Sequence, residues 1–339
     1  MVRWVRRILG GLVVLIVVLV VVGTIYQAIG AVIDARKYPP PGKLVDVGGY
    51  RLHINCVGQG NPTVVMDTMG GGWSVYWSLV QPEVATFTQV CTYDRAGYGW
   101  SDAGPTPRTG QQIATELHTL LSASGLTGPY VLVGHSLGGF TVRLYRSQHP
   151  QEVAGMVLVD AGHEDELAHP EFRAFHDLGA RQMPIIRGAV ALGVSRLAMS
   201  LGVIPFSDKL ERLTPAERTM LIAGWLRPRY WKAVAGEIGV LEETCSQVRT
   251  TDPLGDLPLV VLTATGPTWW PELPPDFPVQ EFKQMWLQLQ NNLTKLSKSS
   301  TQLFAEQSSH FMQFDQPQLI VEAIRQVVET ARQKSQEHP

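Results

Sequence analysis

Ser136 stands in Gly134-His135-Ser136-Leu137-Gly138, a G-x-S-x-G pattern that follows the apolar run 130–133 and leads into the helix-forming segment 137–148. That context suits a nucleophile displayed on a sharp strand-to-helix turn. Such a turn forces its central residue into a strained conformation, and neighbours without a β-carbon leave room for it. The hydroxyl then stands above the sheet at a helix N-terminus, whose unpaired N–H groups favour developing negative charge. The chemistry that follows is nucleophilic attack on an acyl carbon. His135 belongs to the turn itself, is expected to point away from the serine, and takes no part in proton transfer.

A nucleophile so placed needs a sheet beneath it. Short apolar runs at 63–66, 90–93, 130–133 and 156–159 read as buried strands, each followed by Gly, Asp or a turn, and 259–263 and 303–305 add two more. Residues 51–57 alternate polar with apolar, which predicts a half-buried strand near a sheet edge, and Gly48-Gly49 before it signals a hairpin. His53 falls on the polar face of that strand and is expected at the surface. Helix-length segments include 111–122, 137–148 and 316–332. Strands alternating with helices predict an α/β protein with a mostly parallel central sheet and helices on both faces. Residues 162–252 lack a convincing strand and are punctuated by Pro170, Pro184, Pro205, Pro215 and Pro228, so they are expected to form an inserted helical lid. The core is then 44–161 together with 253–334.

Gly134-His135-Ser136-Leu137-Gly138-Gly139 and the loop Tyr93-Asp94-Arg95-Ala96-Gly97-Tyr98-Gly99-Trp100-Ser101 together resemble the α/β-hydrolase family, over residues 46–328. In the second segment Asp94 and Arg95 are expected to hydrogen-bond neighbouring backbone in a Gly-rich turn. The resemblance implies the α/β-hydrolase fold and the chain order serine, acid, histidine. Only His310 and His338 lie late enough to be the base. His338 is the penultimate residue of a polar tail, whereas His310 follows a strand, so His310 is the expected base. The resemblance also implies an oxyanion hole from the amide of Leu137 and one in the loop Asp67-Thr68-Met69-Gly70-Gly71-Gly72. Gly70 is first choice and Met69 second. This chain departs from the commoner family pattern there, with Thr68-Met69 in place of His-Gly, and a triple glycine can equally be a flexible turn.

Many relatives keep the acid after the strand at 259–263, but here Ala264-Thr265-Gly266-Pro267-Thr268-Trp269-Trp270 follows it, with no carboxylate before Glu272. The preceding strand ends in Asp160, at a C-terminal edge where catalytic groups gather in open α/β sheets. Certain haloalkane dehalogenases are similar in placing an acid on this strand. Asp160 is therefore the expected acid, able to orient the imidazole and stabilise its charged form, and it could also cap the following helix. Glu272, Asp276, Glu164 and Asp165 are the rivals.

The first residues are of another kind. From Ile8 to Ile33 there is no charge, and residues 8–22 are only Ile, Leu, Val and Gly. At 1.5 Å per residue that stretch reaches about 39 Å as a helix, enough to span a bilayer. Arg3, Arg6 and Arg7 precede it, which favours a cytoplasmic N-terminus and an extracytoplasmic catalytic domain. Residues 1–35 are thus expected to be a single-pass membrane anchor, with a cleaved signal peptide and a secreted domain as the alternative. Residues 36–43, with Tyr38-Pro39-Pro40-Pro41-Gly42, are expected to be a semi-rigid linker lifting the domain off the bilayer.

A formal net charge of −2 and 17% charged residues exclude a nucleic-acid footprint. Cys56, Cys91 and Cys245 show no metal-ligand spacing and imply no disulfide framework; Cys56 and Cys91 are expected to be small buried side chains. No cofactor is implied. Within 188–206 Arg196 is the only charge, and Trp225, Tyr230, Trp231, Trp269 and Trp270 add aromatic surface around that stretch; an apolar pocket fits esters with hydrophobic acyl or alkyl groups. The 188–206 stretch either packs the lid onto the core or faces lipid. The expected function is hydrolysis of carboxylic esters of hydrophobic small molecules or lipids. The alternatives are an acyltransferase or perhydrolase with the same residues, and a non-catalytic, membrane-tethered binding protein. Nothing in the sequence fixes the oligomeric state.

Overall fold

The computed structural model describes residues 2–204, 208–267 and 277–337. Glu272 and Asp276, the rival acids, lie outside the described residues, as do Trp269, Trp270, Pro205, Phe206 and His338. Eight strands form one sheet: β1 (Lys43–Asp46), β2 (Arg51–Val57), β3 (Thr63–Asp67), β4 (Val90–Tyr93), β5 (Tyr130–His135), β6 (Val153–Val159), β7 (Leu259–Ala264) and β8 (Ser300–Ala305). Their order is β1-β2-β4-β3-β5-β6-β7-β8. At one edge β1 pairs antiparallel with β2 and β2 antiparallel with β4, and every pairing from β4 through β8 is parallel. The hairpin expected at Gly48-Gly49 is present: both glycines have positive φ, and the Asp46 carboxylate accepts from their amides at 2.8 and 3.1 Å. That hairpin needs β1, a strand too short and too exposed to show in the hydropathy pattern.

The central strands are buried on both faces, so alternate residues feed two cores. Leu132 and Leu158 point into one, with Leu117, Phe140 and Tyr145 from α2 (Gly110–Ala123) and α3 (Gly138–Gln148). Val131, Val133 and Val157 point into the other. There Ile320, Ile324, Val327 and Val328 supply a helical-period stripe from the C-terminal helix Pro317–Glu337. Between β6 and β7 the chain is helical, in α4 (Pro170–Ala191), α5 (Val194–Ser200), α6 (Pro215–Trp225), α7 (Pro228–Ile238) and α8 (Leu241–Arg249). Three of the prolines are helix starts: Pro170, Pro215 and Pro228 occupy first-turn positions, where the missing N–H costs nothing. Thr214 and Glu217 close a capping box on α6. The helices α9 (Val279–Leu293) and α10 (Pro317–Glu337) complete the core.

The structure corrects three expectations. His53 is fully buried, with Nδ1 3.0 Å from Asp94 Oδ2, because the loop after β4 folds over the outer face of β2. Cys56 and Cys91 form a disulfide. They sit directly opposite one another in the antiparallel β2–β4 pair, Cα atoms 4.0 Å apart, a register that sequence spacing cannot reveal. Cys245 remains a buried thiol. Finally, α1 (Val2–Lys37) runs to the end of the charged cluster, and the Pro segment after it does not hold the domain away. Tyr38 O accepts from Trp100 Nε1 at 2.8 Å, and Gln27, within the apolar stretch, donates to Leu226 O of the lid.

Candidate active site

Ser136 closes β5 with φ of 52°, and Asp160 closes β6 with φ of 41°. Among the described residues they are the only non-glycines at positive φ. Backbone strain at two neighbouring strand ends is the kind of outlier that concentrates at functional sites. The glycines of the turn are sterically required. A β-carbon at Gly134 would lie 2.5 Å from Gly138 O, and one at Gly138 would lie 2.8 Å from Asp67 O. The turn is held by Ser136 N donating to Val159 O at 3.1 Å, and by Gly139 and Gly162 N donating to Ser136 O.

His310 comes in on the loop after β8. Its Nδ1 is 2.7 Å from Asp160 Oδ2, both side chains being buried. The other Asp160 oxygen accepts from Ala264 N at 3.1 Å and from Trp286 Nε1 of α9 at 2.9 Å. Ala264 is the last residue of β7, so the end of that strand donates to Asp160. The rivals within the described chain are engaged elsewhere: Glu164 forks onto Arg143 at 2.6 and 2.9 Å, and Asp165 pairs with Arg249 at 2.9 Å.

His135 is better placed than its position in the turn suggested. It directs Nε2 to the carbonyl of His310, 2.8 Å away, and burial holds its imidazole well below the usual histidine range. A neutral ring donating there fixes the backbone that carries His310, without taking a proton itself. No sequence pattern signals this role.

The loop of Gly70 abuts the Ser136 turn: a β-carbon at Gly70 would meet Leu137 Cδ1 at 2.6 Å. Gly70, Met69 and Leu137 all line the cavity above Ser136. No acceptor among the described residues takes the Gly70 or Leu137 amide. The triple glycine is a pinned turn. Gly72 N donates to Met69 O at 3.0 Å, and Tyr230 of α7 donates to Gly71 O at 2.7 Å. Asp94 accepts from Ser74 and Trp100 amides, as a loop-bracing residue should. Arg95 does more than its Gly-rich setting implied. Fully buried, it bonds Asp67 Oδ1 at 3.0 Å, the Thr68 carbonyl, and Glu237 Oε2 at 3.0 Å, tying the Gly70 loop to α7. Two carboxylates around one guanidinium hold its pKa well above the usual value despite burial.

The cavity, about 200 Å³, opens onto Ser136 and His310 between apolar walls that include Leu137, Phe140, Phe172, Phe175 and Ile238. Its aromatic lining comes from α4 and the core. Trp225, Tyr230 and Trp231 of the lid pack against Trp73, Tyr98 and one another. Glu166 also lines the cavity, buried, and accepts from His163 N at 3.2 Å. Burial, and secondarily the charge of Glu164, push its carboxyl from the ordinary 4.5 up to about 8. Between those values the unfolded chain ionises Glu166 while the folded protein keeps it protonated. Its contribution to stability is therefore complete below about pH 4.5 and lost by about pH 8. Glu166→Gln removes that dependence. Its melting temperature should match wild type near pH 4.5 and exceed it by roughly 5 °C at pH 8.5. A difference that is constant with pH would contradict this account.

One further cluster could be weighed as a metal site: His118, His149 and Glu152 bring ligand atoms within 4.8 Å of one another. The two imidazoles, however, stack 3.7 Å apart at 8°, so no single ion can lie in the plane of both rings.

A model of the α/β-hydrolase fold matches residues 62–244, more than half of the chain, and the chain belongs to that family. It is 26% identical to the uncharacterized protein YqjL of Bacillus subtilis, over 84% of this chain and 91% of that one. It is 33% identical to the Probable transporter efuK of Hormonema carpetanum and 32% identical to an uncharacterized vacuolar membrane protein of Saccharomyces cerevisiae, over 36% and 35% of this chain. Of those two relatives it spans only 18% and 21%. Among solved structures, it matches a thermophilic esterase from Thermogutta terrifontis with a TM-score of 0.62 at 19% identity, covering 85% of this chain and 98% of that one. The epoxide hydrolase CorEH gives 0.62 at 17%, covering 84% and 97%. The enol-lactonase from Burkholderia xenovorans gives 0.61 at 18%, covering 85% and 100%. At such identities these likenesses establish the fold.

Proposed function

We propose that the protein is a serine hydrolase that cleaves carboxylic esters of hydrophobic small molecules or lipids through an acyl-enzyme intermediate. One observation carries this reading: Ser136 sits strained at a strand end beside a cavity whose wall also holds His310, hydrogen-bonded to the equally strained Asp160. His310 takes the Ser136 proton as Oγ attacks the ester carbonyl, and later returns it to the leaving alcohol. Asp160 fixes the Nδ1–H tautomer and stabilises the imidazolium. The amides of Gly70 and Leu137 receive the oxyanion. Water then attacks the acyl-enzyme with His310 again as base. A serine at the elbow, where epoxide hydrolases and dehalogenases of related fold carry an aspartate, supports acyl rather than alkyl chemistry.

The same reading makes α1 a single membrane span with the catalytic domain on the extracytoplasmic side. Arg3, Arg6 and Arg7 before the span support that orientation. The Cys56–Cys91 disulfide supports it independently, since such bonds persist in oxidising compartments. A relative named for the vacuolar membrane is consistent with membrane residence.

The test of substrate class is a series of p-nitrophenyl esters of rising acyl length, turned over by the full chain in detergent. Each methylene accommodated by the apolar walls is worth about 0.8 kcal/mol, roughly fourfold in kcat/KM. The optimum should fall at medium chain lengths, at least tenfold above acetate. A preference for acetate would defeat the hydrophobic-ester reading.

A further inference from the structure

The C-terminal part of the helix α1, from Gly23 onward, is docked onto the lid, whereas residues 2–22 are exposed, and the contact fixes how deep the lid sits. About 20 residues cross a hydrocarbon core, and every window of that length between Ile8 and Ile33 contains both Gly23 and Gln27. These two residues touch the lid. A β-carbon on Gly23 would lie 2.2 Å from Leu192 O, and one on Gly193 would lie 2.7 Å from Gly23 O, so glycines on both sides permit backbone-to-backbone approach. Gln27 is buried, its amide nitrogen donating to Leu226 O and its oxygen accepting from Arg196 Nε at 3.1 Å. Arg196 stretches on to Asp34 at 2.8 Å, just beyond the apolar run. A glutamine within a span whose polar atoms are both satisfied by lid groups means that the lid accompanies it into the low-dielectric layer.

The lid surface beside this contact is apolar and faces outward. Val194, Leu197 and Leu201, on and just after α5, are 54%, 50% and 69% exposed, and Val203 is 69% exposed. Of the two alternatives for this stretch, packing onto the core is disfavoured, Val190 alone of its larger aliphatics up to Ile204 being buried. Arg196 is the only charge from Gly188 to Ile204, and it turns inward to Gln27 and Asp34.

We infer that α5 and the segment after it, to Ile204, are seated in the hydrocarbon of the bilayer leaflet crossed by the C-terminal part of α1. The occupant of this apolar face is lipid. This deepens the proposed function and rests on its reading of α1 as a membrane span. It also names the substrate class more narrowly, as an ester drawn laterally from the bilayer. The long helix α4 joins the two places: Phe172 and Phe175 near its start line the cavity, and Leu192, immediately past its end, meets α1.

Site-directed labelling tests the seat. In a Cys245→Ser background, with the disulfide intact, single variants Leu197→Cys, Leu201→Cys, Leu15→Cys and Leu287→Cys carry an NBD probe, and the full chain is placed in phosphatidylcholine nanodiscs. Leu15 reports the span; Leu287, 39% exposed on α9, reports water. The probes at 197 and 201 should show blue-shifted emission, strong quenching by doxyl-labelled phospholipid and protection from iodide, like that at 15. Quenching by iodide at 197 and 201, as at 287, with lipid quenching retained at 15, would overturn the seat and leave the span standing. Protection from both quenchers at 197 and 201 would also overturn it, because protein would then cover the face. Loss of lipid quenching at 15 as well would mean that the span itself is wrong.

Discussion

Replacing Ser136 by alanine lowers kcat for any ester the protein turns over by about 10⁶-fold, the scale seen when a triad nucleophile is removed. The prediction is that large because nothing else near the cavity can substitute. Cys245 is buried with its thiol pushed up out of reach of ionisation, and is not among the residues that line the cavity. Substrate binding should survive, since the apolar walls and the Gly70 and Leu137 amides are untouched. The variant should also fold. Alanine at φ of 52° carries the same strain as serine, and the backbone bonds to Val159, Gly139 and Gly162 do not involve the hydroxyl. A loss smaller than about 100-fold in a folded variant would mean that Ser136 does not form the covalent intermediate.

Replacing Asp160 by asparagine lowers kcat by about 10⁴-fold with little change in KM. Asparagine can keep its carbonyl toward Ala264 N and Trp286 Nε1, both of which donate. Its NH₂ then faces His310 Nδ1 and selects the tautomer with the proton on the wrong nitrogen, the one that must accept from Ser136. Glu164→Gln, whose carboxylate already serves Arg143, should cost less than tenfold. Should Glu272→Gln abolish turnover while Asp160→Asn retains it, the acid has been misplaced.

These predictions rest on residues that were legible to different degrees. Ser136 was readable because its chemistry is tied to a local pattern, glycines flanking a serine between a strand and a helix. The parallel sheet was readable for a similar reason: doubly buried strands are uninterrupted apolar runs. Asp160 as the candidate acid needed the chain order of a family, together with the absence of a carboxylate between β7 and Glu272. What could not be read is long-range. The Cys56–Cys91 bond depends on the register of β2 against β4, and the burial of His53 depends on a loop folding over an edge strand. Arg95 and Glu237, far apart in sequence, meet only because the lid lands on the Gly70 loop. Nor could the apolar run at the N-terminus show that its Gln27 is spoken for by the lid. Proline-rich spacing after a span suggests separation, whereas the contacts of Tyr38, Gln27 and Arg196 bring helix and lid together.

The most direct test of the central claim, an activated Ser136, is covalent labelling of the full chain in detergent by a fluorophosphonate, followed by peptide mapping. An activated serine should give a single adduct per chain on Ser136, absent from Ser136→Ala and formed far more slowly in Asp160→Asn. No adduct on folded wild-type protein, or equal labelling of Ser136→Ala, would contradict it.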